Sequence, residues 1–279
     1  MPIDLGRLEE LSRVVEQAIE SIVQGSSSVS IVYDIYTRGL ARVARAALKL
    51  ADPGRALELV DAYSYPTMEL PYVSERVSAI LAFLRAPQQL HQLATAARLL
   101  QMRALAITTR LPSQIRKALR GFSALELDSD LYTLAALVGV LRAASRSSVA
   151  RVARVGRELE IGPELVSDVE ERFSHLAKLA SSSLVLCTAA TEPLCDELRF
   201  RGASAIYIHD ALSIPCQPSV TLVYTSCEDH VVAQFLLSYR RRCGSAAVSS
   251  IRVNTDPLTA SLYLLLAISG ARGYGEQGL

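Results

Sequence analysis

The sequence predicts an α/β protein built from two doubly wound parallel-sheet domains in tandem. Three observations support this prediction. Strand-like and helix-like segments alternate along the chain, short apolar runs have the length of buried strands, and the element order of the first half recurs in the second. Such alternation is typical of parallel sheets with helices on both faces, because parallel strands need long crossover connections.

The first half begins with an amphipathic pattern. Apolar side chains recur every three or four residues over 5–24, which predicts a helix with one buried face. The run 77–83 is continuously apolar, as expected for a strand buried on both faces. Pro87 then stands where a helix can begin. The other elements predicted here are strands at 29–33, 57–62, 104–108 and 123–127, helices at 39–51, 87–100 and 113–119, and a long helix that ends at Ala144.

The two halves meet in a polar segment. Residues 145–148 are polar, and 161–163 contain a Gly-Pro break in the helical pattern. We therefore predict a first domain over 1–148 and a second over 149–279 that opens with leading helices. The repeated element order suggests duplication. The second half is predicted to contain strands at 184–187, 205–208, 220–224 and near 251–256, and helices at 149–159, 165–180, 193–200, 229–242 and 260–271.

Composition and charge exclude several classes of protein. The 279 residues are 50% hydrophobic, which supplies enough apolar material for two cores. A net charge of +1 creates no strong field, so we expect no nucleic-acid partner. The longest apolar segment, 260–271, is too short to span a membrane, and residues 1–20 lack the apolar core of a signal peptide. We expect a cytoplasmic protein without a membrane partner.

Residue usage indicates the source and the role of the cysteines. Arginine greatly outnumbers lysine and Asn254 is the only asparagine, which favours a thermophilic source. No two cysteines have C-x-x-C spacing, and the interpretation we favour is that they are small buried apolar residues. A thermophilic cell would also tolerate an intracellular disulfide. The five cysteines all lie in the second half: Cys187, Cys195, Cys216, Cys227 and Cys243.

No metal site or cofactor is predicted. The four histidines are not at the spacing of a metal-binding pair. Neither a P-loop motif nor a G-x-G-x-x-G motif occurs, which argues against nucleotide binding by those routes.

Ligands of open α/β sheets bind outside the carboxyl ends of the strands, where helix N-termini present N–H groups to anions. That rule selects five loops of this chain as candidate binding segments. They are residues 34–39, 84–89, 108–110, 188–193 and 225–229.

Several segments resemble a known family. Residues 94–108 read as a small-residue helix followed by an apolar strand that ends in Ile-Thr, and 177–187 read as a helix end, serines and a strand. These features resemble the sugar isomerase (SIS) domain. The tandem arrangement is similar to archaeal phosphoglucose/phosphomannose isomerases. The resemblance implies flavodoxin-type sheets, a homodimer and a sugar phosphate bound between the domains.

The sequence departs from the family at its site motifs. The family's phosphate loop reads Ser-x-Ser-Gly-x-Thr, whereas 83–88 contain no hydroxyl and offer Arg85 as a substitute anion ligand. In the first loop, Asp34 would repel a phosphate. The family's glutamate base has no equivalent after Arg199-Phe200-Arg201, but His209 stands near the position of the ring-opening histidine.

The candidate site residues follow from these comparisons. His209 is the candidate catalytic residue, although a histidine at a strand end is more often a structural hydrogen-bonding group. The candidate ligand-binding residues are Tyr36, Thr37, Arg38, Gly39, Arg85, Gln88, Thr108 and Ser226.

Two functional hypotheses remain open. The first is a divergent SIS protein that binds a sugar phosphate and acts as an aldose–ketose isomerase of the phosphoglucose/phosphomannose type. The alternative is a non-catalytic SIS module that senses a carbohydrate derivative or holds a protein partner. The missing hydroxyl loop and glutamate favour the alternative, whereas the tandem architecture favours the first.

Overall fold

The computed structural model describes residues 3–119, 122–147, 149–244 and 246–270. Their contacts divide the chain into two compact units, one over Asp4–Glu160 and one that begins at Ile161. Each unit has its own parallel sheet with helices. The predicted α/β class and the parallel sheets are therefore confirmed.

The first unit contains a five-stranded sheet. Its strands follow the order β2-β1-β3-β4-β5, and every neighbouring pair is parallel. This is the flavodoxin-like order, in which connections on the two sides of β1 place helices on opposite faces. The elements are α1 (Leu5–Val23), β1 (Ser28–Tyr33), α2 (Arg38–Ala51), β2 (Ala56–Asp61), α3 (Leu70–Val73), β3 (Ala79–Leu84), α4 (Pro87–Leu99), β4 (Arg103–Thr109), α5 (Ser113–Ala118), β5 (Ser123–Leu127), α6 (Tyr132–Ser145) and α7 (Ala150–Glu158).

Helix packing in the first unit explains its sequence pattern. All six residues of β3 are buried, as the continuous apolar run predicts. The apolar stripe of α1 packs against α6, and α2 packs on α6 beside it. Gly139 of α6 permits this approach, since a Cβ there would lie 2.4 Å from Val15 Cγ1. On the opposite face, Leu90 and Leu93 of α4 join a separate apolar cluster with β3.

The second unit repeats the scheme with one strand fewer. Its sheet has the order β7-β6-β8-β9, again all parallel. Helix α11 packs on α8 and α9, as α6 packs on α1 and α2 in the first unit. The elements are α8 (Pro163–Ser182), β6 (Leu184–Cys187), α9 (Glu192–Phe200), β7 (Ala205–Tyr207), β8 (Ser219–Thr225), α10 (Asp229–Cys243), β9 (Ala247–Val253) and α11 (Ala260–Gly270).

The border between the units lies a little beyond the predicted one. Contacts assign α7 to the first unit, where it packs on α6 and α2. The sequence places the boundary between residues 148 and 149. As independently folding domains, 1–148 and 149–279 stay a prediction.

The cysteines require a correction. Two disulfides form in the second unit, Cys187–Cys195 and Cys216–Cys243, while Cys227 is free and exposed. The interpretation of all five as unpaired buried residues is therefore wrong. The Cα atoms of the pairs lie 6.1 and 5.5 Å apart, within the range that a disulfide needs. Only the folded chain brings these positions together, because 8 and 27 residues separate the partners in sequence.

Among the residues that the structure describes, no helix has both the length and the apolar composition to cross a membrane.

Candidate functional site

The first candidate site is the pair of loops that follow β1 and β3. We call residues 34–39 and 84–89 the first loop pair. Asp34 comes directly after β1, and its carboxylate crosses to the loop after β3. One oxygen accepts the backbone N–H groups of Arg85, at 2.5 Å, and Ala86, at 2.7 Å, while the other accepts Tyr36 N–H at 2.9 Å. A buried carboxylate of this chain therefore accepts the two N–H groups immediately before Pro87, the first residue of α4.

The hydroxyl of Thr37 also joins the same two loops. Its hydroxyl accepts the Asp34 N–H at 2.9 Å and donates to the carbonyl of Phe83 at 2.6 Å. Both side chains are almost fully buried. Because one hydrogen-bond frame joins the ends of β1 and β3, the loops are held in one arrangement.

The second candidate site is the corresponding pair of loops after β6 and β8. We call residues 188–193 and 225–229 the second loop pair. Thr191 makes the same kind of contacts as Thr37. Its hydroxyl accepts the Thr188 N–H at 3.0 Å and donates to the carbonyl of Val223 at 2.7 Å. Sheet register supports the correspondence, since Tyr33 pairs with Phe83 and Cys187 with Val223.

In the second loop pair the bridging carboxylate comes from the opposite side. Glu228 follows β8, and its carboxylate accepts the hydroxyl of Thr188 at 2.6 Å and the N–H of Ala190 at 3.2 Å. It also accepts the N–H and hydroxyl of Thr225, which completes a capping box. Four donors that could have met an external anion are thus engaged internally.

Arg85, the proposed substitute for the missing hydroxyls, is only 4% exposed. Its guanidinium carbon lies 4.8 Å from the centre of the Tyr132 ring, and one nitrogen donates to the carbonyl of Ser129 at 3.2 Å. Tyr132 donates in turn to the carbonyl of Ile107. These contacts tie Arg85 to the start of α6. Thr108, next to Ile107 in β4, is fully buried.

His209 lies in the turn 208–210 that follows β7, at the outer edge of the second sheet. Its side chain is half exposed and stacks on the ring of Tyr207, with centroids 5.8 Å apart and planes 8° apart. Its Nε2 lies 3.6 Å from the carboxylate of Asp210. Strand β6 separates β7 from β8, so His209 and Ser226 follow strands that are not neighbours.

The structure places the other predicted residues around the loop pairs. Arg38 and Gly39 form the first turn of α2, Gln88 lies exposed in the first turn of α4, and Ser226 begins the turn before α10. The sheet order brings Tyr36, Thr37 and Arg85 to adjacent strand ends. Their roles in binding a ligand stay predictions.

The sequence analysis did not identify a buried polar cluster beside His209. Asp196 is fully buried and accepts the Arg199 guanidinium at 2.7 Å and the hydroxyl of Tyr207. The Arg199 guanidinium also donates to that hydroxyl and lies over the ring. Burial and the neighbouring Asp196 charge raise the pKa of Tyr207, so the phenol stays protonated. Only the fold reveals the cluster, because Tyr207 belongs to a strand and Asp196 to a helix.

Among the described residues, no group of three or more His, Cys, Asp or Glu side chains is arranged to hold a metal ion.

Comparisons with known proteins identify the fold. No protein-family model and no curated protein sequence matches the chain. Solved structures do match. A Bacillus subtilis protein assigned as a phosphosugar isomerase has a TM-score of 0.65 at 11% identity, over 95% of this chain and 93% of that one. This chain shares its fold with that protein.

Two further structures agree. A Salmonella typhimurium protein assigned as sugar-binding has a TM-score of 0.62 at 12% identity, over 95% of each chain. Thermotoga maritima glucosamine-6-phosphate deaminase has a TM-score of 0.59 at 13% identity, over 95% of this chain and 92% of its own. Matches at identities this low show a shared fold and leave the reaction open, because one fold serves many functions.

Proposed function

We propose that this chain is a non-catalytic SIS-fold protein, an interaction module that does not isomerise sugar phosphates. The observation that supports the proposal is the pair of internal carboxylates: Asp34 accepts the N–H groups of Arg85 and Ala86, and Glu228 accepts the Thr188 hydroxyl and the Ala190 N–H.

The electrostatic argument is direct. A sugar phosphate carries about two negative charges at neutral pH, and to use the start of α4 it would have to displace a buried aspartate and then lie beside it. Like charges within 4–6 Å repel, and Asp34 would lose its three N–H donors. Because the donors already have an anionic partner, the first loop pair offers a phosphate little net binding energy.

The decisive experiment is a coupled aldose–ketose assay with glucose-, mannose- and fructose-6-phosphate, with a phosphoglucose isomerase assayed in parallel. We expect no turnover above the uncatalysed rate. Titration calorimetry with the same esters should show no binding tighter than about 1 mM. Saturable turnover that co-purifies with the protein would contradict the proposal.

A second candidate function is sugar-phosphate isomerisation. It is favoured by the names of the matched structures and by the exposed position of His209 beside Asp210. Under this candidate, His209→Ala folds normally and loses turnover on cyclic sugars, while open-chain analogues are spared. If the unmodified protein has no activity, or if the variant matches it, His209 has no catalytic part.

A further inference from the structure

A basic groove runs along the outer edge of the first sheet. It lies between α2 and the edge strand β2 and has a volume of about 770 Å³. A second depression of about 380 Å³ continues it and shares Arg45, Leu57 and Leu59. The residues that line the larger part are Arg42, Arg45, Ala46, Lys49, Leu50, Leu57 and Leu59.

The groove presents strand backbone. Ala56 and Ala62 donate their N–H groups towards β1, to the carbonyls of Ser27 and Tyr33. Because backbone directions alternate along a strand, the N–H groups of Leu57 and Leu59 face the outer edge. The equivalent edge strand of the second unit, β7, has only three residues and a largely buried pattern. Natural sheets shorten or cover their edges in this way, and β2 is six residues long.

Cationic side chains line the larger part of the groove, whereas Glu58 adds a carboxylate to the smaller depression. Lys49 Nζ donates to the carbonyl of Arg55 at 2.7 Å, and Arg45 Nε donates to the carbonyl of Leu57 at 3.3 Å. Both acceptors are neutral, so these bonds orient the two side chains along β2 without cancelling their charges. The two carbonyls lie on the outer edge, so the edge groups that we assign to pairing with a partner are the N–H groups of Leu57 and Leu59. Arg45 and Lys49 are one helical turn apart, about 6 Å along the axis.

That spacing suits an extended peptide. Alternate residues of a strand lie about 6.6 Å apart and point to the same side, so carboxylates at every second position would meet Arg45 and Lys49 in succession. The apolar floor formed by Leu57 and Leu59 would contact the aliphatic part of the same side chains. Backbone pairing with a sheet edge supplies the remaining hydrogen bonds in known strand-addition complexes.

We propose that the outer edge of β2 binds an extended acidic peptide segment as an added strand, and that Arg45 and Lys49 pair with the carboxylates of this segment. The proposal rests on the proposed function, which it deepens by naming the chemistry of the partner. Hexose-phosphate turnover and peptide binding are separate measurements, so either idea can fail alone.

The first test is fluorescence anisotropy with a labelled ten-residue peptide of alternating glutamate and threonine. The double variant Arg45→Glu/Lys49→Glu should weaken binding at least about tenfold, because two attractions become repulsions. The matched control is Arg76→Glu/Lys117→Glu, which makes the same charge change at exposed positions elsewhere in the first unit. It should change the affinity less than about twofold. An equal loss of affinity in both variants would show that binding depends only on the net charge of the protein, and this result would overturn the proposal.

The second test separates strand addition from simple attraction of an anion. A peptide of the same charge with proline in place of each threonine cannot donate at those positions and should bind at least about tenfold more weakly. Bound peptide should also slow amide hydrogen exchange at Leu57 and Leu59. If the proline peptide or a single-stranded ten-nucleotide oligothymidylate binds as tightly as the first peptide, the edge strand is not the determinant and the proposal is wrong.

Discussion

In each loop pair one carboxylate bridges the two loops, but in the two pairs it comes from opposite loops. In the first, Asp34 reaches from the loop after β1 to the start of α4. In the second, Glu228 reaches back from the loop after β8 to the loop after β6. Thr37 and Thr191 hold equivalent positions in both. The shared threonine frame with interchanged carboxylates indicates that what the fold needs here is an anion between the loops, whichever strand end supplies it.

The two carboxylates differ in burial, and this predicts the largest effect. Asp34 is 3% exposed, whereas Glu228 is half-buried. Asp34→Ala would leave the buried N–H groups of Arg85 and Ala86 without their acceptor and should lower the free energy of unfolding by about 3 kcal/mol. Glu228→Ala should cost about 1 kcal/mol, typical of a lost helix cap. Urea denaturation of both variants measures the difference, and equal losses would remove the distinction between the loop pairs.

Ligand binding by the same variants should give the next largest effect. With Asp34 gone, the start of α4 regains free N–H groups, and inorganic phosphate should stabilise Asp34→Ala by about 1–2 kcal/mol at concentrations well above its dissociation constant. The unmodified protein should show no such gain over chloride at equal ionic strength. Thermal melting in the two salts measures the effect. Stabilisation of both proteins alike would show that phosphate binds elsewhere.

The threonines offer a matched pair of smaller changes. Thr37→Val and Thr191→Val each remove a buried hydroxyl that donates to a strand carbonyl, at 2.6 and 2.7 Å. Each should cost about 1–2 kcal/mol, and the two costs should agree within about 0.5 kcal/mol if the frames are equivalent. Unequal costs, measured by urea denaturation, would mean that the second frame carries less of its unit's stability.

Acid sensitivity gives the smallest predicted difference. Hydrogen bonds from Arg116 and Arg142 lower the pKa of Glu126 and Glu9 below the ordinary value of 4.5. A carboxyl with a lowered folded pKa stabilises the protein above its ordinary pKa, and that contribution is lost as the pH falls below about 4.5. Both glutamates lie in the first unit. Each pair is partly exposed, so Glu126→Gln should remove less than about 1 kcal/mol of the pH dependence. Urea midpoints at pH 7 and pH 3.5 measure it, and a pH dependence unchanged in the variant would exclude Glu126 as a contributor.

Much of the fold was predictable because buried strands leave a plain signal. The predicted strands coincide with the observed ones to within a few residues wherever both faces are covered, as in β3 and β6. Edge strands were harder to predict from the sequence. Strand β9 begins at Ala247, earlier than the apolar signal, because its exposed serines resemble a loop. The π-helical turn Tyr65–Glu69 is absent from the predicted elements, since its geometry has no periodic signal in the sequence.

The site was predictable in composition but not in geometry. The sequence identifies Asp34 as unfavourable for phosphate, and Thr225-x-x-Glu228 has the pattern of a capping box. That Asp34 bonds to Arg85 and Ala86 depends on β1 and β3 being neighbours, a fact of sheet order that lies outside local sequence. For the same reason, the sequence suggests Arg85 as an anion ligand but does not show that its guanidinium lies over the ring of Tyr132.

The packing of α1 on α6 also has a consequence for biosynthesis. Helix α1 is synthesised before its partner α6, which begins only at Tyr132. At about 5–20 residues per second, the ribosome takes roughly 5–25 seconds to supply it. Throughout that interval the stripe of Leu8, Leu11, Val15 and Ile19 lacks its final cover. The apolar face of α1 therefore waits for most of the synthesis of the first unit before α6 can cover it.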